Sequence, residues 1–462
     1  MSRVGPAWML GTLALASAIA ACGDGVPPGL RADGGMPIDL GEPPDMQRDD
    51  AGLGDLGVPS DGGMTYCGRV GAVHDLAHFA LPKTRFADVV AGTNTIDALF
   101  VAAREEGDVV VRQAFATSDG ALSGAEHAIS EPGFGTIYVP RAASSPFAGL
   151  ASYDSFATGT TRTTTIRSMA VDGSALGDER IVSDREFPSL RSQVAALSGG
   201  GFALAWTEAE LQIFEDGTPV YVDTHLRYIH VDEAGVVDES ATVIPTDAPI
   251  RGFTLARGGD DSALVYVLDR SATSGRAQSV YVRPINADGT VATASIELAG
   301  DHTIIDEISA IRVTGNTVIA WTEVTASLRS DIHVQRVTDE GTLAVERVVT
   351  RGTEQGGSPA LSLFGAFHLG LVYVGGPSGQ HTLRFLELEI DELPKEAAVT
   401  IADTDMNGPA TIGIGISEDR TTLGVAWTQT GASGNDAHFA LVGCSVAGEP
   451  TDGGWCEPDG GM

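Results

Sequence analysis

Lysine is nearly missing from this chain: of its 28 cationic residues, only Lys83 and Lys395 are lysines. That preference for arginine reads as the mark of a GC-rich genome rather than as chemistry. Cations as a class are scarce beside 62 acidic residues, which leaves a formal charge of −34. Such a field repels nucleic-acid phosphates and anionic lipid surfaces, so no nucleic-acid partner is expected. Cysteine is scarce too, and four in 462 residues cannot form a disulfide scaffold. No apolar run reaches the roughly 20 residues that a membrane-spanning helix needs. A G-x-S-x-G elbow, a C-x-x-C pair, a phosphate-cradling glycine loop and an EF-hand ligand series are all missing. Apolar residues nevertheless make up 43% of the chain, enough for a sizeable core and too much for wholesale disorder.

The N-terminus reads as an export signal over residues 1–21. Arg3 precedes an apolar stretch from Ala7 to Ile19, and small residues follow. The stretch ends in Ile19-Ala20-Ala21-Cys22, which resembles the bacterial lipobox, where the Cys is lipidated and becomes the first residue of the mature chain. That resemblance implies a cell-envelope protein held to the membrane by its lipid alone. Gly23 after the Cys allows delivery to the outer membrane. The segment that follows, to residue 65, carries 11 Gly and 6 Pro from residue 23 onward and almost no aromatic or β-branched residue. It cannot bury enough apolar surface to offset its ordering entropy, so residues 22–65 are expected to form a tether. The tail from 447 to 462 has the same composition.

Between the tethers one pattern recurs. Phe202-Ala203-Leu204-Ala205-Trp206-Thr207-Glu208 returns as Val318-Ile319-Ala320-Trp321-Thr322-Glu323 and as Gly424-Val425-Ala426-Trp427-Thr428-Gln429. Weaker copies place Ala102, Ser152, Tyr266 and Tyr373 at the Trp position. A period near 54 residues over seven copies marks a repeat architecture. Each copy has a small-residue strand before the anchor, an alternating strand after it and then an Asp-Gly or Glu-Gly turn, with a short fourth strand. Gly and Asp supply the positive φ that such hairpins need, and period-2 alternation marks strands. Four antiparallel strands repeated seven times predict an all-β fold, a seven-bladed β-propeller over residues 66–446. Tandem β-sandwiches are the alternative reading.

Unit seven stops early, because its third strand around His438–Val442 runs into Cys444 and the polar tail. The orphan segment from Cys67 to Phe79 can fill the missing place and remove the open edges. Cys67 and Cys444 would then lie on neighbouring strands and could be joined in an oxidising compartment. Cys444 with Cys456 is the competing pair.

His74-Asp75-Leu76-Ala77-His78 comes near the H-E-x-x-H zinc signature, which needs a helix. On a strand the two imidazoles sit roughly 13 Å apart and cannot share an ion. No metal set and no catalytic set is therefore assigned. Asp154, Glu208, Asp269 and Glu323 close the second strands and face the loops over residues 209–223, 270–279 and 324–330, which are the longest and most variable. Variation confined to one rim points to recognition there. An arc of carboxylates could take a cation such as calcium, a sugar or a basic protein surface; no other cofactor is expected.

The lipobox, the Asp/Gly/Pro tether and repeats of G-G-x-hydrophobic-hydrophobic-A-W followed by Asp-Gly hairpins resemble a family of secreted or lipid-anchored β-propellers common in myxobacteria and similar bacteria. The resemblance covers residues 67–446. It implies architecture and hardly any activity. The reading leans to a non-enzymatic envelope lipoprotein that binds protein or glycan through one loop face. The alternative is a propeller hydrolase or lyase acting on extracellular polysaccharide.

Overall fold

A computed structural model describes residues 65–446 apart from short stretches between strands, among them 81–86, 156–161, 271–277, 299–304, 390–397 and 403–410. The signal segment, Cys22, most of the tether, the tail and Cys456 lie outside the described residues. Every described regular element is a strand, and the 28 strands form seven four-stranded antiparallel sheets. The sheets stand around an axis. The chain is a seven-bladed β-propeller, as the repeat predicts.

Blade 1 runs from β2 (Ala87–Gly92) to β5 (Leu122–Ala128), and blade 2 from β6 (Tyr138–Ser144) to β9 (Ala175–Ile181). Blade 3 runs from β10 (Ser189–Ala196) to β13 (Thr242–Ile244), and blade 4 from β14 (Ile250–Ala256) to β17 (Ile296–Glu297). Blade 5 spans β18 (Ile305–Val313) to β21 (Arg347–Val348), and blade 6 spans β22 (Glu354–Phe364) to β25 (Val399–Ala402). Blade 7 contains β26 (Ile412–Ile416), β27 (Thr422–Thr430) and β28 (Gly434–Val446), and β1 (Thr65–Ala80) supplies its outer strand. The first strand in sequence thus completes the last sheet. In that register Cys67 stands directly opposite Cys444.

The buried apolar residues fall into seven clusters, and each cluster lies between two neighbouring blades. Period-2 alternation makes this possible, because successive side chains on a strand point to opposite faces. Phe202, Leu204 and Trp206 pack toward blade 2, whereas Ala203 and Ala205 pack toward blade 4. Blade 5 repeats the division, with Ile319 and Trp321 toward blade 4 and Val318 and Ala320 toward blade 6. A second strand is therefore buried on both faces and reads as a continuous apolar run. Indole faces the preceding blade in every case, since Trp427 packs with Val372 and Phe385 of blade 6.

This rule corrects one anchor. The side chain of blade 2 that packs toward blade 1 is Tyr153, one residue beyond Ser152. Ser152 instead faces blade 3, where its hydroxyl is 3.3 Å from that of Ser192. A second correction concerns residues 209–223. Residues 209–213 and 219–223 are strand rather than loop, because the second strand of blade 3 (β11, Phe202–Ile213) and the third (β12, Pro219–Val231) continue as a paired ribbon from Ala209↔Asp223 to Ile213↔Pro219; residues 214–218 lie outside the described residues.

The turns behave as their residues require. Gly289 and Gly341 hold φ at +81° and +86°, a region that costs a residue with a Cβ about 1 kcal/mol or more. At the axis the constraint is space: a Cβ on Gly413 would lie 2.6 Å from the carbonyl oxygen of Ala87 on the neighbouring innermost strand.

β1 covers an edge that would otherwise expose unpaired backbone groups and the apolar face of Phe439 and Leu441. A chain beginning at residue 82 is therefore expected to lose its monomeric peak in size-exclusion chromatography and to aggregate. A soluble monomer with unchanged circular dichroism and thermal midpoint would refute closure by β1.

Candidate functional site

Asp154, Asp269 and Glu323 stand at the ends of the second strands of blades 2, 4 and 5, whereas Glu208 lies inside β11 of blade 3, and the four do not form an equivalent ring. Counted from the residue that packs toward the preceding blade, Asp154 comes one position later, Glu208 and Glu323 two, and Asp269 three. Alternation therefore turns Glu208 and Glu323 to the indole side and Asp154 to the other.

Glu208 is 1% exposed and fully engaged. The Trp206 indole N–H donates to its Oε1 at 3.1 Å, and Arg227 Nε donates to Oε2 at 2.8 Å. Arg227 stands opposite Trp206 in the strand register, so the three side chains make one unit: ring, cation and carboxylate. Blade 6 repeats the unit with different parts. Arg384, opposite Tyr373, donates from Nη1 to Glu354 Oε1 at 2.8 Å, and the Tyr373 hydroxyl lies 3.1 Å from the same oxygen. In blade 5, His333 takes the position opposite Trp321, and its Nε2 lies 3.7 Å from Glu323 Oε2. Asp269 is half-buried at the end of the second strand of blade 4.

Asp154 is wholly buried, and Arg162 Nη2 and Thr164 Oγ1 donate to its two oxygens at 2.8 and 3.1 Å. Burial pushes its carboxyl above the ordinary Asp value, and the charge of Arg162 offsets only part of that push. Asp154 and Glu208 thus carry charges already met by arginine.

A different constellation lies on the axis. Innermost strands of all seven blades line a cavity of about 340 Å³, whose walls include Val89, Ala143, Ala196, Ile311, Leu361 and Ile414. Ser144, Ser145 and Ser198 place it toward the face where the first and second strands of each blade are joined. That is the face opposite the rim acids. Arg257 is the one charged side chain among the described residues that line it.

Arg257 follows β14 in blade 4 and reaches across the channel to Asp88 on β2 in blade 1. Its Nη1 and Nη2 donate to the two carboxylate oxygens at 3.2 and 2.7 Å. The Ala142 N–H donates to Asp88 Oδ2 at 3.0 Å, and Arg141 Nη1 stands 3.9 Å from Oδ1. Burial alone would raise the Asp88 carboxyl, but the two guanidinium charges and the hydrogen bonds outweigh it and hold the group below its ordinary value. Burial likewise lowers Arg141, against the attraction of Asp88. Sequence reasoning missed this cluster because Asp88 and Arg257 are 169 residues apart and neither sits in a motif.

His74 and His78 both lie on β1, opposite Phe439 and Asp436, so they occupy a strand as expected. The loop residues 271–277 and 325–328 fall outside the described residues.

No protein-family model matches the sequence, and no curated protein matches it. The fold is similar to solved structures. A protein of unknown function from Dyadobacter fermentans has a TM-score of 0.50 at 12% identity, over 82% of this chain and 99% of that one. A Trypanosoma rangeli sialidase reaches 0.46 at 11% identity, with 80% of this chain and 59% of the sialidase covered. An α-L-arabinanase from Penicillium chrysogenum gives 0.45 at 11% identity, with 65% and 92% covered. At such identities the likeness is one of fold.

Two outcomes follow. Replacing Arg227 with Met leaves the Glu208 carboxylate buried without its cation and is expected to cost about 3–5 kcal/mol in urea unfolding. Adding Glu208→Gln should return most of that loss, and a single variant as stable as wild type would show that the ion pair holds nothing. Asp88 has a lowered folded value, so its stabilisation is complete above the ordinary Asp pKa and fades as pH falls through the lower one. Asp88→Asn should therefore be less stable than wild type at pH 7, with the gap closing in strong acid; a gap that is the same at pH 7 and in strong acid would contradict this.

Proposed function

We propose that this chain is a lipid-anchored cell-envelope protein, held at the outer membrane through Cys22, whose propeller is a binding scaffold for glycan. The observation that carries the reading is the axial cavity. Ligand sites are concave and mostly apolar, with a few placed polar groups, and range from about 300 Å³ upward. A cavity of about 340 Å³ with small aliphatic walls, serine hydroxyls and one arginine meets that description. The apolar faces of a terminal sugar fit against Ala143, Ala196 and Leu361, and its hydroxyls meet Ser144, Ser145 and Ser198.

The carboxylates argue for binding over hydrolysis. A glycosidase needs two carboxyl groups about 5–10 Å apart around one sugar. The four rim acids stand on four different blades, and arginine already holds Asp154 and Glu208. Asp88 on the axis is likewise clamped by Arg257. A Cys67–Cys444 disulfide, for which the strand register sets the two residues face to face, belongs to the same proposal, because export places the chain in an oxidising compartment.

A glycan array with the purified protein is expected to give a discrete set of binders. Ser198→Trp, at an exposed position on the cavity wall, should weaken the best of them at least tenfold without moving the thermal midpoint. Unchanged affinity in that variant would remove the axial cavity as the seat of binding.

A further inference from the structure

The ring, cation and carboxylate unit recurs at one register position in blades 3 and 6; blades 5 and 7 place a histidine there instead, and in blade 5 two glutamates stand beside it. In blade 3 the residue opposite the indole is Arg227, and in blade 6 the residue opposite the tyrosine ring is Arg384. A guanidinium carries a permanent charge and has no lone pair to give, so those units are closed ion pairs. In blade 5 the same position holds His333, with its ring stacked on Trp321 at 5.5 Å and 21°. Imidazole is a metal ligand.

Blade 5 also has a second acid that the comparison with blade 3 does not require. Glu346, just ahead of β21, places Oε1 2.6 Å from His333 Nδ1, while Glu323 Oε2 lies 3.7 Å from Nε2. One ligand atom from each of Glu323, His333 and Glu346 lies within 4.8 Å of the others. Zinc ligands at about 2.0–2.2 Å in tetrahedral order stand about 3.4 Å apart. Side-chain adjustments of about 1 Å bring the three to that spacing.

Shelter supports the same conclusion. The side chains are partly sheltered, with relative exposures of 14% for Glu323, 12% for His333 and 32% for Glu346. Glu346 is the most open of the three, so water can complete the shell there.

We propose that Glu323, His333 and Glu346 form a binding site for a divalent transition-metal ion of the zinc type. The mixed imidazole and carboxylate set favours such an ion over calcium or magnesium, which prefer all-oxygen shells. The site lies on the outer three strands of blade 5, away from the axial cavity, so it stands independently of the glycan-binding reading.

Blade 3 supplies the test. His333→Arg copies its ion pair into blade 5 and is expected to keep the fold, as read by an unchanged thermal midpoint, while removing the metal. The purified chain, stripped with chelator and titrated with Zn²⁺ by calorimetry, should bind one equivalent more than His333→Arg. Glu346→Gln, which removes one proposed ligand, should bind zinc at least about 10-fold more weakly than the wild-type chain. With Co²⁺ as the probe, the wild-type chain should show a visible d–d band that His333→Arg lacks. Equal zinc stoichiometry in wild type and His333→Arg, or no cobalt band in wild type, would overturn the proposal.

Discussion

Lateral burial of each blade between its two neighbours is the constraint from which the rest of this molecule follows. A second strand such as β11 has apolar side chains on both faces, so a single blade in water would expose as much apolar surface as it hides. Fully burying one large apolar side chain is worth about 1.5–3 kcal/mol, and every blade interface contains several. The gain is available only when each sheet has a partner on either side. A row of sheets always leaves two faces bare, whereas a closed ring leaves none. Closure is therefore an energetic requirement, and β1 satisfies it by joining the beginning of the described chain to its end. Unequal division of volume lets the ring close tightly: the indole of one second strand packs with smaller aliphatic side chains of the preceding one, as Trp427 does with Val372 and Val374.

Polar chemistry gathers where that lateral packing ends. At the tips of the second strands the indole N–H is buried and needs an acceptor, and a carboxylate two residues later supplies one in blade 3. A buried carboxylate in turn needs a cation, which the facing strand provides through Arg227. In blade 3 the arrangement meets the needs of a buried indole. This explains why Glu208, which looks like part of a recognition arc in the sequence, is held inside the structure. It also makes departures informative, since a blade that exchanges the arginine for histidine and adds an acid has changed more than the indole requires.

Much of the fold is legible in the sequence because the burial rule acts on every copy alike. Trp206, Trp321 and Trp427 announce the period, and Asp-Gly turns with positive φ announce the hairpins. The missing strand of blade 7 is legible as well, as an orphan at the opposite end of the chain. Blade 2 is harder to read because its large residue, Tyr153, follows a buried serine, and alignment on the Trp position selects Ser152. A shift of one residue exchanges the two faces of a strand, which is why Asp154 does not share the environment of Glu208. Axial chemistry is not legible at all. Asp88 and Arg257 meet through the radius of the ring, and no local pattern encodes a distance across seven sheets.

That radius also explains where space is left on the axis. Innermost strands contribute to two environments at once, because their side chains pack between neighbouring blades while the same residues border the channel, as Val89, Ala143 and Ile414 do. Where the strands press together no side chain fits, as at Gly413, and small residues are obligatory. Toward the hairpins of the first and second strands, Val89, Ala143 and Ile414 leave about 340 Å³ open, and the Asp88–Arg257 pair ties blade 1 to blade 4 across the channel. These wall residues are therefore held by blade packing as well, whereas Ser145, Ser198 and Arg257 border the cavity from strand ends and hairpins. Lateral packing thus fixes the aliphatic wall of the cavity, and the polar groups at its mouth are set by the hairpins instead.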